Sequence, residues 1–480
     1  MAAASFVAVS SARADTTDIL LEQLRAKGIL SPHEFHKLKL RHEHEKAAMY
    51  RRAGPPGGVI VKGPAPEYVT VCPKHICMRV GQVDVSLSGD LVFGGVETFG
   101  AHGTNNTILG GLAGAGANGS NQSYNSIQAG LLPSAIVLSL STHQMGYDLG
   151  FTIGAYTGGS NIAPNGANAN GGGSPIALGT PGIDLRQIFG TVGTPTFGTV
   201  KIGRDLGLFG SDAILNDATL LGMGSPLTTG TPGNTTLGRI GVGYVYADWI
   251  PQVTYTTPDM NGFTASIGAF TPLHAAAFGA GALDGVYTGQ DVPMVQGQLK
   301  WKGAVGPGAK LTLSADGVWQ HHAFDLATGS AGAIGGANDV DSWGIDGFGK
   351  VDIAGFSLVG YGYYGKGLGT TGLFYDSFDT FGNARQSYGG YVQGSYTFNK
   401  FTLGASWGVS GLKATSGDYA LSPVLASELV KWNESVVGFA RYQLTTWMAL
   451  QGEYVHTWST NQMGQVTYND ALWLGTAWFF

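Results

Sequence analysis

With 480 residues, the chain has room for several globular domains or for one large closed sheet. Only 12% of its residues are charged, about half the globular norm, and 78 are glycine. Mean hydropathy is nevertheless near zero, and no apolar run approaches the roughly 18 residues that a membrane-spanning helix needs, which excludes transmembrane helices. Strands that alternate lipid-facing apolar residues with polar lumen residues average to such neutrality. The charge divides along the chain. Ten Lys/Arg stand against seven Asp/Glu up to Val71, and sixteen against twenty-five from Cys72 onward.

Residues 1–14 carry a short apolar run from Ala2 to Val9 and end in Ala12-Arg13-Ala14, a small-residue cleavage pattern. This reads as a signal peptide that lacks its positive n-region, as from a truncated start. Residues 15–52 show helical spacing instead of alternation, with Ile19, Leu20 and Leu24, then Phe35, Leu38 and Leu40. Gly28 suits a helix C-terminus, and Ser31-Pro32-His33-Glu34 restarts the chain as a capping box. The expectation is a short helical hairpin, too small to bury its own core and therefore oligomerising or docking. Its four histidines, His33, His36, His42 and His44, lie across solvated faces and read as surface residues instead of metal ligands. Residues 53–66, rich in Pro and Gly, read as a linker.

Cys72 and Cys77 stand close together in CPKHIC. In an oxidising compartment such a pair reads as a structural disulfide, and in the cytosol as a metal or redox site. Even with His75 it offers three metal ligands at most, so the disulfide is the better reading.

From residue 67 the pattern becomes one of period-two strands. They are expected at 83–93, 134–142, 147–157, 184–192 and 196–204, then as hairpins 249–257 with 262–270, 293–302 with 309–321, 341–353 with 355–364, 386–398 with 400–411, and 433–444 with 446–458, ending at 468–480. That gives about sixteen, within a range of fourteen to eighteen. Short connections alternate with long ones rich in Gly, Thr and Asn, the asymmetry of a transmembrane antiparallel β-barrel over 67–480.

Several stretches resemble known proteins. The end of the chain, a strand closing in Trp478 and Phe480, resembles the terminal strand of bacterial outer-membrane barrels, where the last residue is part of the assembly signal. Glu67, Tyr68, Val69, Val71, Cys72, Cys77, Arg79, Val80 and Gly81 resemble the start of alphaproteobacterial porins. The strand FGTVKIGRD before a long loop, and Tyr255, Thr256, Thr257, Pro258, Gly262 and Phe263 after it, resemble the motifs flanking the third loop of general porins. The N-terminal LLEQLRAKGILSPHEFHKLK resembles short bihelical oligomerisation modules.

The porin resemblance implies a trimeric channel of the cell outer membrane, inserted by the outer-membrane assembly machinery and surrounded by its lipid. Passive diffusion of small hydrophilic solutes and ions is the expected function, with no cofactor, metal or nucleic acid. The helical hairpin would contact the periplasm or cell wall. It further implies that residues 205–235 fold into the lumen, with Asp205, Asp212 and Asp217 facing Arg186, Lys201 and Arg204 on the wall. An acidic barrel leans toward cations. A sugar- or anion-selective channel is the rival reading. A barrel hydrolase using a Ser/His pair, with His143, His321, His322 or His456 as base, and an adhesin acting through its loops are the other readings. No serine stands in a nucleophile motif.

Overall fold

Alternation of apolar and polar residues builds twenty strands, observed in a computed structural model that describes residues 39, 60–62, 68–71, 76–104, 108–113, 123, 125–158, 183–226, 235–327, 329–330 and 338–480. In chain order these are β1 Ile60–Lys62, β2 Tyr68–Val71, β3 Cys77–Val80, β4 Val83–Gly103, β5 Asn125–Ala129, β6 Ser134–Gln144, β7 Tyr147–Thr157, β8 Asp184–Thr194, β9 Gly198–Leu206 and β10 Trp249–Thr256. They continue as β11 Phe263–Phe270, β12 Met294–Gly306, β13 Ala309–His322, β14 Val340–Ile353, β15 Phe356–Lys366, β16 Gln386–Phe398, β17 Phe401–Lys413, β18 Val430–Gln443, β19 Met448–Asn461 and β20 Val466–Phe479. Three helices of six residues interrupt them: α1 Ser211–Asn216, α2 Ser416–Leu421 and α3 Pro423–Glu428.

The chain divides into two compact units, Met1–Leu87 with Leu140–His143, and Ser88–Ser139 with Gln144–Phe480. In the first, β1 pairs antiparallel with β2, β2 with β3, and β3 with the start of β4. The β1 segment lies within the expected linker over 53–66. Its β-branched Ile60 and Val61 favour an extended chain that pairs with β2. Gly81, at φ 60°, reverses the chain before β4. Arg79 and Asp84 close an ion pair of 2.5 Å across that turn. Cys77 is disulfide-bonded, and Cys72 lies outside the described residues. The expected signal peptide and helical hairpin lie outside them too, apart from Lys39, which is helical.

The second unit is dominated by the barrel. β4 pairs with β6, each following strand pairs with its successor, and β20 pairs back onto β4, which closes sixteen strands into a ring. Strand bounds at 147–157 and 386–398 coincide with the sequence expectation. Two-residue turns suffice at one end. Ala354 and Gly355, at φ 49° and 87°, supply the positive torsions that match the strand twist between β14 and β15. The other end carries the long connections.

Parity assigns the faces. On β13, Asp316, Val318, Gln320 and His322 point inward and are buried, whereas Leu313 and Trp319 point outward and are exposed. Outward aromatics near the short-turn end touch one another, as in Phe356–Tyr396 at 4.2 Å and Phe401–Tyr442 at 4.6 Å between ring centroids. The last strand reads as apolar on both faces because its inner Ala471, Trp473 and Ala477 are covered from within, packed with Met223 of an inserted loop.

Candidate constriction site

The described parts of the connection between β9 and β10, residues 207–226 and 235–248, fold back against the inner wall of the barrel. Its entry is held by wall acceptors aimed at backbone N–H groups. Gln296 Oε1 accepts from Leu208 N at 2.7 Å and Phe209 N at 3.0 Å, and Asp346 Oδ2 accepts from Gly210 N at 2.9 Å. Gly210, at φ 73°, makes the turn into α1. Beyond α1, Gln393 accepts from Ala218 N at 2.6 Å and donates to Asn216 O at 3.0 Å, and Tyr391 donates to Ala213 O at 2.8 Å. Glu453 Oε2 then accepts from Met223 N and Gly224 N, at 2.8 and 3.0 Å. A Cβ at Gly222 would collide with that carboxylate, so glycine is what lets the backbone lie so close.

The returning half is pinned by Arg239, which is fully buried. Its guanidinium donates to Ser435 O and Ser435 Oγ, at 2.9 and 2.8 Å, and to Ser406 O. Phe209, Ala213, Ile214 and Val245 of the loop bury their apolar surface against Val318, Phe348 and Val359 of the wall.

The predicted charges fall into different environments. Asp212, on α1, forms an ion pair with Lys300 of β12, and Gln298 Nε2 approaches its other oxygen at 3.4 Å. Asp217 faces the interior of the loop. It caps the 3-10 turn Ala218–Leu221, accepting from Thr219 N and Oγ1 at 2.8 Å, and it takes further bonds from Tyr244 OH at 2.9 Å and Arg239 N at 3.2 Å. Asp205 stands on β9 itself, not on the loop, and pairs with Lys201, four positions back on the same face of the strand. Gln187 Nε2 donates to it at 3.0 Å, and the Lys201 ammonium lies 5.2 Å from the Phe189 ring centroid.

Arg186 is buried on β8. Its Nε donates to Asp184 at 3.0 Å and its guanidinium lies 5.5 Å from the Tyr156 ring centroid. Arg204, expected on the inner wall, shares the outward parity of Ile202 and sits opposite Pro251. Alternation through Ile202 and Gly203 keeps it off the inner face: it donates to Trp249 O at 3.0 Å and approaches Asp184 at 3.5 Å.

Toward the long-loop end, Arg186, Asp184, Tyr246, Asp248, Trp249 and His274 help to line a cavity of about 780 Å³. Burial raises the Asp248 carboxyl above the usual carboxylate range, while the Trp249 N–H and nearby Arg204 and Arg186 oppose that rise. Among the described residues no group of His, Cys, Asp and Glu is placed to hold a metal.

Of the histidines considered as catalytic bases, His322 meets a serine. It is buried between Gln320 and Ser342, with its Nε2 2.9 Å from Ser342 Oγ, but that hydroxyl donates to Gly367 O at 2.6 Å. The side chains satisfy one another inside the wall and present no nucleophile. His321 and His456 pair with Asp341 and Asp470 at 3.0 and 2.9 Å.

Arg239 pins the loop from within it. Lys300, Asp346, Gln393 and Glu453 position it from the wall, and sequence reasoning singled out none of these four. Their signal was present only as parity: in QLKWK, Lys300 and Lys302 alternate with outward Leu299 and Trp301.

No protein-family model and no curated protein sequence matches the chain. Solved structures do resemble it. The outer membrane channel DcaP of Acinetobacter baumannii aligns at 15% identity over 83% of this chain and 97% of that one, with a TM-score of 0.59. An anion-selective porin from Comamonas acidovorans aligns at 14% identity over 83% and 100%, with a TM-score of 0.52. At these identities the likeness establishes the barrel fold.

Proposed function

We propose that the chain is an outer-membrane porin, a water-filled channel for passive diffusion of small hydrophilic solutes and ions. The observation that carries this reading is a closed sixteen-strand barrel narrowed from within by a loop tied to the wall through Asp212–Lys300, Gln393 and Glu453. On this reading the short-turn end faces the periplasm and the long loops face outward. Lys201, Asp205, Arg186 and Asp212 stand along the polar path, while Arg204 and Asp217 serve the rim and the loop scaffold. The decisive measurement is ion conductance of the purified protein in a planar bilayer. Stepwise channel openings support the reading, and an electrically silent, folded protein rejects it.

Homotrimeric assembly fits a sector of the outer face. Glu97, His102, His456, Asp470 and Glu434 all point outward on β4, β20, β19 and β18. Tyr454 OH donates to Asp470 Oδ1 at 2.6 Å, and His102 stacks on Tyr468 at 4.9 Å. Carboxylates facing hydrocarbon are costly, and another copy of the chain would shelter them. Elsewhere on the outer face Trp407, Val392 and Ile345 are apolar and exposed. Cross-linking in detergent tests this: a trimer is expected, and a monomer at all concentrations counts against it. The same reading assigns residues 1–14 to export, Phe480 to assembly, and the N-terminal helices to the periplasmic side.

A further inference from the structure

Three neighbouring strands stack their inward charges in rows. Register sets Gln298, Asp316 and Asp346 side by side on β12, β13 and β14. One row nearer the short turns come Lys300, Ser314 and Phe348, and the next holds Lys302, Thr312 and Lys350. The last row places Ala304 beside Lys310 and Asp352. Acid therefore lies at the level of the inserted loop, and base below it on the same wall. Lys300 is committed to Asp212, and Lys350 has a 3.5 Å contact to half-exposed Asp352. Lys302 and Lys310 are exposed and form no ion pair among the described residues.

On β8 and β9, by contrast, the predicted wall bases are already matched by acids, Arg186 by Asp184 and Lys201 by Asp205. The lumen lysines that form no ion pair among the described residues thus fall on β12 and β13. Adjacent strands are about 4.8 Å apart, so the backbones of Lys302 and Lys350 are roughly 10 Å apart across Thr312. Two long, flexible ammonium arms can close that gap around one ligand, with the Thr312 hydroxyl between them as a further donor. Like charges in a confined passage repel, and a bound anion relieves the repulsion.

We propose that Lys302, Thr312 and Lys350 form an oxyanion subsite on the short-turn side of the inserted loop, transiently holding carboxylate- or phosphate-bearing solutes. The inference rests on the porin reading and gives it a solute class. It also sets a local anion preference against the overall acidity of the barrel.

The test is planar-bilayer recording in potassium chloride with citrate added to one side at a time. Citrate from the short-turn side should reduce the current of the native channel in a saturable way. In a Lys302→Gln/Lys350→Gln variant the half-blocking concentration should rise about tenfold, and the reversal potential in a salt gradient should move toward cation preference. A Lys302→Arg/Lys350→Arg variant should keep the block, which separates lost charge from a misfolded barrel. Inorganic phosphate should show the same variant dependence. If the native channel conducts but citrate block is identical in the Gln variant, the subsite is wrong and the porin reading stands. A dependence seen with citrate but not with phosphate overturns general oxyanion recognition. If the native protein never conducts, the porin reading itself falls.

Discussion

Lys300 of β12 meets Asp212 of α1 in an ion pair that joins the inner wall to the inserted loop, with Asp212 almost fully buried. Removing one partner leaves the other charge poorly solvated. Lys300→Met should therefore destabilise the loop by about 3 kcal/mol, and the Asp212→Asn/Lys300→Met double variant by clearly less than the sum of the singles. Current fluctuations of single channels report this: the single Lys300 variant should flicker most.

Asp212 and Asp217 lie five positions apart yet have unlike surroundings. Asp212→Asn removes a charge beside Lys300 and should shift the reversal potential. Asp217→Asn removes a cap and the anchor of Tyr244 and Arg239 N. It should leave selectivity nearly unchanged while costing about 1–2 kcal/mol of local order. Limited proteolysis within 207–248 separates the two effects.

Phe480 N donates to Gly89 O at 3.2 Å, and Gly89 N donates back to Phe480 O at 3.1 Å, where the first and last barrel strands meet. Deleting Phe480 removes both bonds and the ring that covers Gly89. The yield of heat-modifiable, assembled protein should fall sharply with synthesis unchanged. Quantitation of the folded band on unheated gels checks this.

Arg385 ties three long connections together. It bonds Asp284 at 2.5 Å, Asp418 at 2.6 Å and Leu283 O at 2.9 Å, and all three side chains of this charged cluster are buried. Arg385→Met would leave two buried carboxylates without their cation, a loss of about 3–5 kcal/mol confined to the loops. Proteases should then cut within 271–293 and 414–429, while the barrel stays intact in hydrogen exchange.

Cys77 is disulfide-bonded, and Cys72 is the chain's other cysteine. Thiol labelling of the unfolded, unreduced protein should therefore find neither cysteine reactive. Closure of so short a loop contributes about 2–3 kcal/mol at most, so reduction should loosen the segment before β4 and leave conductance intact.

Strand number and hairpin order were legible from the sequence because side-chain alternation is local. Each strand must carry its own two faces, so 147–157 and 386–398 could be delimited without knowing any neighbour. The same logic marked the long segment after β9 as an exception, since it neither alternates nor ends quickly. Partnership was not legible. Asp212 and Lys300 are 88 positions apart, and nothing local distinguishes Asp212 from Asp217, whose carboxylate turns into its own loop. Nor could alternation show that inner Trp473 would be covered by Met223, which is why the last strand reads as apolar on both sides. Closing the ring set the rows of β12, β13 and β14 side by side, and only that register gathers Lys302, Thr312 and Lys350. Local periodicity determines the strands, whereas charge facing charge across a lumen depends on register and loop insertion, which only the closed barrel decides.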